Sequence, residues 1–200
     1  MRRIKAAGER LDDRMTMRMK ILIAATALAA LSACSKPAAT PPAATGGPVA
    51  HASIQEVMVS VVEPASAIVW KTPDSFDPAK KATQAQIDAD WLALRKGAVA
   101  LSEASNLIVM EGRHAAPPGV KLQNEGLEGN LTTAQIDEKL KTDRTKLLEY
   151  AKALQDASLK VLVAIDAKKP DAVLEAGGAV DEACEACHKH FWYPGAPTPP

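Results

Sequence analysis

The stretch Val180-Asp-Glu-Ala-Cys184-Glu-Ala-Cys187-His188-Lys-His-Phe191 lies close to the C-terminus of the 200-residue chain, and the reading of everything before it depends on it. On a helix, Cys184, Cys187 and His188 stand at i, i+3 and i+4, so their side chains leave one face. Cys-x-x-Cys-His is also the spacing that attaches a c-type haem: two thiols add across the vinyl groups while the adjacent imidazole ligates iron. One such face holds one porphyrin. The competing readings of a Cys pair are weaker. A structural zinc wants four ligands, and His51, His114 and His190 stand at no recognisable ligand spacing. A thiol redox pair belongs beside a βαβ pattern, and nothing here alternates strand with helix.

The third cysteine lies in a targeting segment. Arg18 and Lys20 precede an apolar run from Ile21 to Leu31, followed by Ser32-Ala33-Cys34. A charged n-region, a short apolar core and small residues before the cut describe an export signal over residues 1–33. The run falls short of the about 20 apolar residues that a spanning helix needs. Leu31-Ser-Ala-Cys34 resembles a bacterial lipobox, which implies that Cys34 is lipidated and becomes the new N-terminus. Ser35 in place of Asp implies, by the same resemblance, an outer-membrane lipoprotein facing the periplasm. The alternative is ordinary cleavage nearby, leaving Cys34 a free thiol. Residues 1–14 are polar, and Met15, Met17 and Met19 offer later starts.

Seven of the 24 Lys and Arg and three of the 24 Asp and Glu precede Cys34, leaving 17 basic against 21 acidic residues in the remainder. Such a surface does not favour nucleic acid. Aromatic residues make up 4% of the chain, and Ala, Leu, Lys and Glu dominate the periodic regions, which is helix composition. Residues 34–52 are rich in Pro and Ala with few bulky side chains. Such a segment cannot offset its ordering entropy and reads as a flexible tether holding the domain off a membrane. Residues 194–200, with their prolines, read as a disordered tail.

Between these ends, residues 53–193 form one domain with four helical segments. In the first, Ile54, Val57, Met58, Val61, Val62, Ala65, Ile68 and Val69 recur at helical spacing after the N-cap candidate Ser53. Pro64 removes an amide donor and clashes one turn back, which predicts a kink or a tightened turn near Ser60 to Pro64. The second segment is expected from about Pro78 to Glu111, along a seam through Ile87, Trp91, Leu94, Ala98, Leu101, Ser105 and Ile108. Glycine and proline from Gly112 to Gly119 stop it. The third starts near Thr132 with Gln135 placed for a capping box, and runs through Ile136, Leu140, Leu147, Ala151, Leu154, Ser158, Val161 and Ile165 to Lys168-Lys169-Pro170. The fourth spans roughly Pro170 to Tyr193 and carries the motif. Gly177-Gly178 weakens its middle enough to allow two shorter helices. The expected fold is all-α, an antiparallel four-helix bundle binding one covalent haem c, with a long loop from Gly112 to Leu131.

A four-helix chain whose Cys-x-x-Cys-His lies near the C-terminus resembles the class II c-type cytochromes, the cytochrome c′ superfamily, over residues 53–193. The match is specific at Cys184, Cys187, His188 and the aromatic Phe191. The resemblance implies thioethers at Cys184 and Cys187, His188 as proximal iron ligand, and a distal side against the first helix, where Met58 is the best match. A Met58 thioether would raise the reduction potential and suit electron transfer; the alternative is a flexible core filler. Met110 is a weaker candidate, and His190, two residues past His188, faces away. The family pattern carries an Arg on the first helix that is absent here. Arg113 and His114 either approach the haem carboxylates or stay at an exposed helix end. Trp70, Trp91 and Trp192 read as packing residues.

The implied role is an electron carrier served by redox partner proteins. The alternative is a five-coordinate haem module that binds NO or CO. Enzymatic peroxide turnover wants a positioned distal acid or base, which the stripe around Met58 lacks, so the chain reads as a non-enzyme. The resemblance also allows a homodimer through exposed helix faces.

Overall fold

The computed structural model describes residues 49–195. The export signal, Cys34, most of the tether and residues 196–200 lie outside the described residues. Among the described residues the chain is all-α, with five helices, short 3-10 turns and no strand. No helix among them is long and apolar enough to cross a membrane.

Helix α1 begins with an α stretch, Ile54–Val57, passes through a π turn, Met58–Val62, and resumes as α over Glu63–Val69. Ser53 starts it with a capping box: its side chain accepts from the Glu56 amide, and the Glu56 carboxylate accepts from the Ser53 amide at 2.7 Å. The next two free amides, those of Ile54 and Gln55, donate to the carbonyls of His114 and Ala115 at 2.8 and 3.0 Å. The disturbance expected near Pro64, a kink or a tightened turn, is present, and it takes the form of a widened turn. Pro64 has no amide to offer Ser60, and its ring crowds the carbonyl one turn back. The chain opens instead, the Glu63 amide reaching five residues back to the Met58 carbonyl, and Pro64 falls in the first turn of the renewed α stretch.

Helix α2, Gln84–Ile108, starts later than the seam implied. Two 3-10 turns, Asp74–Phe76 and Pro78–Lys80, precede it. Lys81, at φ 49°, separates them from a second capping box made by Thr83 and Gln86. That box, and not Pro78, is the true start signal. At the other end Arg113 folds back as a cap: its Nε donates to the Leu107 carbonyl at 2.8 Å and its Nη1 to the Ala52 carbonyl. This side chain is occupied in holding α1 to the end of α2.

The expected third helix is two. Helix α3, Thr133–Thr142, opens on the anticipated Thr132 and Gln135 capping box, and α4 follows as Arg144–Asp166. The break is at Asp143, with φ −113° and ψ 41°. Its carboxylate takes the His190 Nε2 at 2.6 Å, and Arg144 donates to the Val109 carbonyl beyond the end of α2. Both are tertiary bonds that no local pattern announces.

Helix α5, Pro170–Phe191, runs unbroken through Gly177-Gly178, contrary to the two-helix alternative. Gly177 faces α1: a Cβ there would lie 3.5 Å from the Trp70 ring, and the Trp70 indole donates to the Gly177 carbonyl at 3.0 Å. The middle of α5 is thus packed against α1 and tied to it by the Trp70 bond at the point where the two glycines weaken the helix.

The helices share one core. Leu94, Ala98 and Leu101 of α2, Leu154 and Val161 of α4, Val173 and Val180 of α5, and Val57, Val62 and Val69 of α1 are all buried. Each fully buried aliphatic contributes about 1.5–3 kcal/mol. Small residues let the rods close up: Ser105 and Ser158, both buried, return their hydroxyls to carbonyls of their own helices. The seam of α2 and the stripe of α4 predicted from spacing are the faces found in this core.

Candidate functional site

Cys184, Cys187 and His188 leave one face of α5 and line a single cavity of about 360 Å³, within the roughly 300–1,000 Å³ typical of ligand sites. Met58, from the start of the π turn in α1, lines the same cavity. The motif of α5 and Met58, which the family resemblance matched to the distal side, thus line one cavity although they are far apart in the chain. Most of the rest of the wall is apolar: Ile54 and Val62 of α1, Ile108 of α2, Ile136 and Leu140 of α3, Leu147 of α4, and Phe191 of α5, with Gln55, Glu63 and Ser66 of α1 adding polar atoms. Trp70 and Trp192 complete it, with Leu122 and Gln123 from the long loop.

Burial sets the protonation of the motif. Desolvation pushes the Cys184 thiol up to about 11, with help from the charge of Asp181. Desolvation first, and then Cys184, pushes Cys187 up to about 12. Held neutral, the two thiols are slow in thiol exchange, which uses the thiolate. Both cysteines are free of disulfides, and among the described residues no group of three or more His, Cys, Asp and Glu is arranged to hold a metal ion. Burial also lowers the pKa of His188, Glu185 opposing it. The imidazole is thereby kept neutral, the form that ligates metals. Behind it, Tyr193 donates its hydroxyl to Glu185 at 2.6 Å, which with Lys189 at 3.3 Å holds that carboxylate on the outer side of the helix.

One polar atom is left over. Trp192 meets the His188 ring edge-on, with centroids 5.5 Å apart. Its buried Nε1 is, among the described residues, a side-chain donor without an acceptor. Buried polar groups without partners are few in native folds and call for an explanation. The residues present therefore fit a porphyrin: two neutral thiols and a neutral imidazole on one face, a thioether on another wall, apolar surroundings, and a spare buried donor suited to a carboxylate.

The remaining sequence candidates lie elsewhere. Met110 takes a contact from Arg113 Nη2 at 3.4 Å and does not line the cavity. His51 is exposed. His114 pairs with Asp137 at 3.1 Å, and His190 with Asp143. Arg113 is committed to carbonyls, so of its two readings the helix-end one stands. Trp91 packs in the core, stacked on Phe76 at 4.3 Å. Trp192 was assigned only packing, and its free donor had no sequence signal. Leu122 is buried while Val120 and Leu127 of the same loop are exposed, so no sequence signal marked it as the residue that turns inward. No known protein-family model, curated protein or solved structure matches the chain.

Proposed function

We propose that this chain is a monohaem c-type cytochrome that carries electrons, its helices forming an antiparallel four-helix bundle in which α3 and α4 together make one rod. The observation that carries the reading is the convergence of Cys184, Cys187 and His188 with Met58 on one apolar cavity. Cys184 and Cys187 would hold the haem through thioethers, His188 would ligate the iron, and Met58 would supply the second axial ligand. A bound haem supplies a one-electron couple, whose potential the protein tunes through axial ligation, burial and hydrogen bonding. Here the wall is mainly apolar, His188 is kept neutral by burial, and Trp192 would offer a donor to one of the haem carboxylates. The residues around Met58 are mainly apolar, Glu63 being the one carboxylate among the described residues that line the cavity, and such a site is suited to electron exchange with a redox partner protein.

The acidic excess downstream of Cys34 argues against nucleic acid as partner. An export signal over residues 1–33 followed by a lipidated Cys34 would put the domain at the bacterial cell envelope, lipid-anchored and facing the periplasm.

Two measurements test this. Haem staining after denaturing electrophoresis should show a band that disappears in Cys184→Ala/Cys187→Ala; haem lost on denaturation sinks the covalent assignment. The reduced protein should give a low-spin spectrum and bind CO weakly. A high-spin spectrum with tight CO binding would instead establish the five-coordinate gas-binding alternative.

A further inference from the structure

Along α1 the cavity is lined by a row spaced by four, Ile54, Met58, Val62, Ser66 and Trp70, with Gln55, Val59 and Glu63 beside it. On a regular α-helix each step of four residues overshoots a full turn by about 40°, so the five residues of the row would drift across roughly 160° of the surface. A π turn takes more than four residues per revolution, so the same step falls short of a full circle and turns the drift back. The π turn lies at Met58–Val62, between the two ends of this row. It brings Ile54 and Met58 above it into line with Ser66 and Trp70 below it.

The cause of the π turn is at its exit. Pro64 offers no amide to the Ser60 carbonyl, and the Glu63 amide bonds five residues back to Met58 itself. The residue that begins the widened turn is thus the candidate iron ligand, fixed at its backbone by the bond that the proline diverts.

We propose that Pro64 is a positioning residue for axial ligation: by enforcing the π turn it holds the Met58 thioether toward the cavity that His188 lines from α5. This rests on the haem reading above. Removing the proline restores an amide at position 64 and allows the helix to close into regular α geometry. The helix is anchored on both sides of the turn, before it by Val57 and by the bonds of Ile54 and Gln55 to the His114 and Ala115 carbonyls, and after it by Ala65 and Val69, so the change of direction falls on the turn itself. Met58 is the residue displaced.

The test compares holoprotein of wild type, Pro64→Ala, Pro64→Ser, Met58→Ala and Pro64→Ala/Met58→Ala. Circular dichroism checks the fold, and haem staining on denaturing gels checks attachment. Both proline variants are expected to keep covalent haem and helix content yet lose low-spin character. Their CO affinity should rise roughly tenfold or more, with a reduction potential shifted toward that of Met58→Ala. The double variant should match Met58→Ala alone, since the two substitutions act through one contact. Proline variants with the wild-type spectrum and CO affinity, beside an altered Met58→Ala, overturn the proposal. So does a Met58→Ala protein that keeps its low-spin spectrum, which leaves the haem reading standing. Absence of covalent haem from wild type overturns the haem reading itself, and this proposal with it.

Discussion

The indole of Trp192 ends in a buried N–H that meets no acceptor, a state that costs about 1–3 kcal/mol when nothing supplies one. A bound carboxylate would reverse the sign of that contribution. Trp192→Phe should therefore cost more in haem-loaded protein than in the unloaded Cys184→Ala/Cys187→Ala background, the two costs differing by about 1–3 kcal/mol. Urea unfolding of both pairs measures the difference, and equal costs would leave the donor without a role. Glu56 gives a second residue-scale outcome. Its hydrogen bonds from the Ser53 amide, and then from the Ser53 hydroxyl, hold its carboxyl below the ordinary value of 4.5. A depressed folded pKa contributes stability above the unfolded value and loses it as pH falls through the folded value. Glu56→Gln keeps an acceptor but cannot titrate. The stability gap between wild type and this variant should close on acidification below 4.5, as followed by thermal melts across that range.

At the level of elements, two glycines that look alike in the sequence behave oppositely. A Cβ at Gly97 in α2 would sit 3.0 Å from the Ala65 carbonyl oxygen of α1, an atom that a rigid helix cannot readily move. Gly97→Ala should destabilise by about 1–3 kcal/mol despite its better helix propensity. Gly178, in the middle of α5, has open space where its Cβ would be, so Gly178→Ala should stabilise by up to about 1 kcal/mol. Chemical denaturation midpoints at unchanged slope decide both. Apolar spacing was enough to locate the helices and their inward faces, because burial on one face is a periodic demand. Their ends were legible where a side chain caps its own backbone, as at Thr132. The π turn, the break at Asp143 and the continuity through Gly177-Gly178 were not legible in full. Each is decided by groups far away in sequence: Asp143 by His190, Gly177 by Trp70, and the face of α1 by a cavity drawn from every other helix. Pro64 announced a disturbance, but whether the turn widens or tightens depends on what the rest of the helix must face.

Across the whole molecule, the motif Cys184-Glu-Ala-Cys187-His188 made one wall of the site readable, since its three side chains are neighbours on one helix. Met58 as the facing wall was an expectation drawn from resemblance, and its place in the same cavity is a property of the assembled chain. The irregular stretch from Gly112 to Leu131 joins these walls in a way that helix packing alone would not. Near its start, the carbonyls of His114 and Ala115 hold the first amides of α1, and at its end the Leu131 amide bonds to the Trp192 carbonyl at 2.8 Å, just past α5. One strap is thus fastened to both jaws. The loop is a second tie between the jaws, beside the direct bond from Trp70 to Gly177, and its length is a quantity that insertions and deletions alter without touching the packed helices. A longer or shorter strap would act on the cavity from its two ends at once, with Cys184, Cys187, His188 and Met58 all left in the sequence.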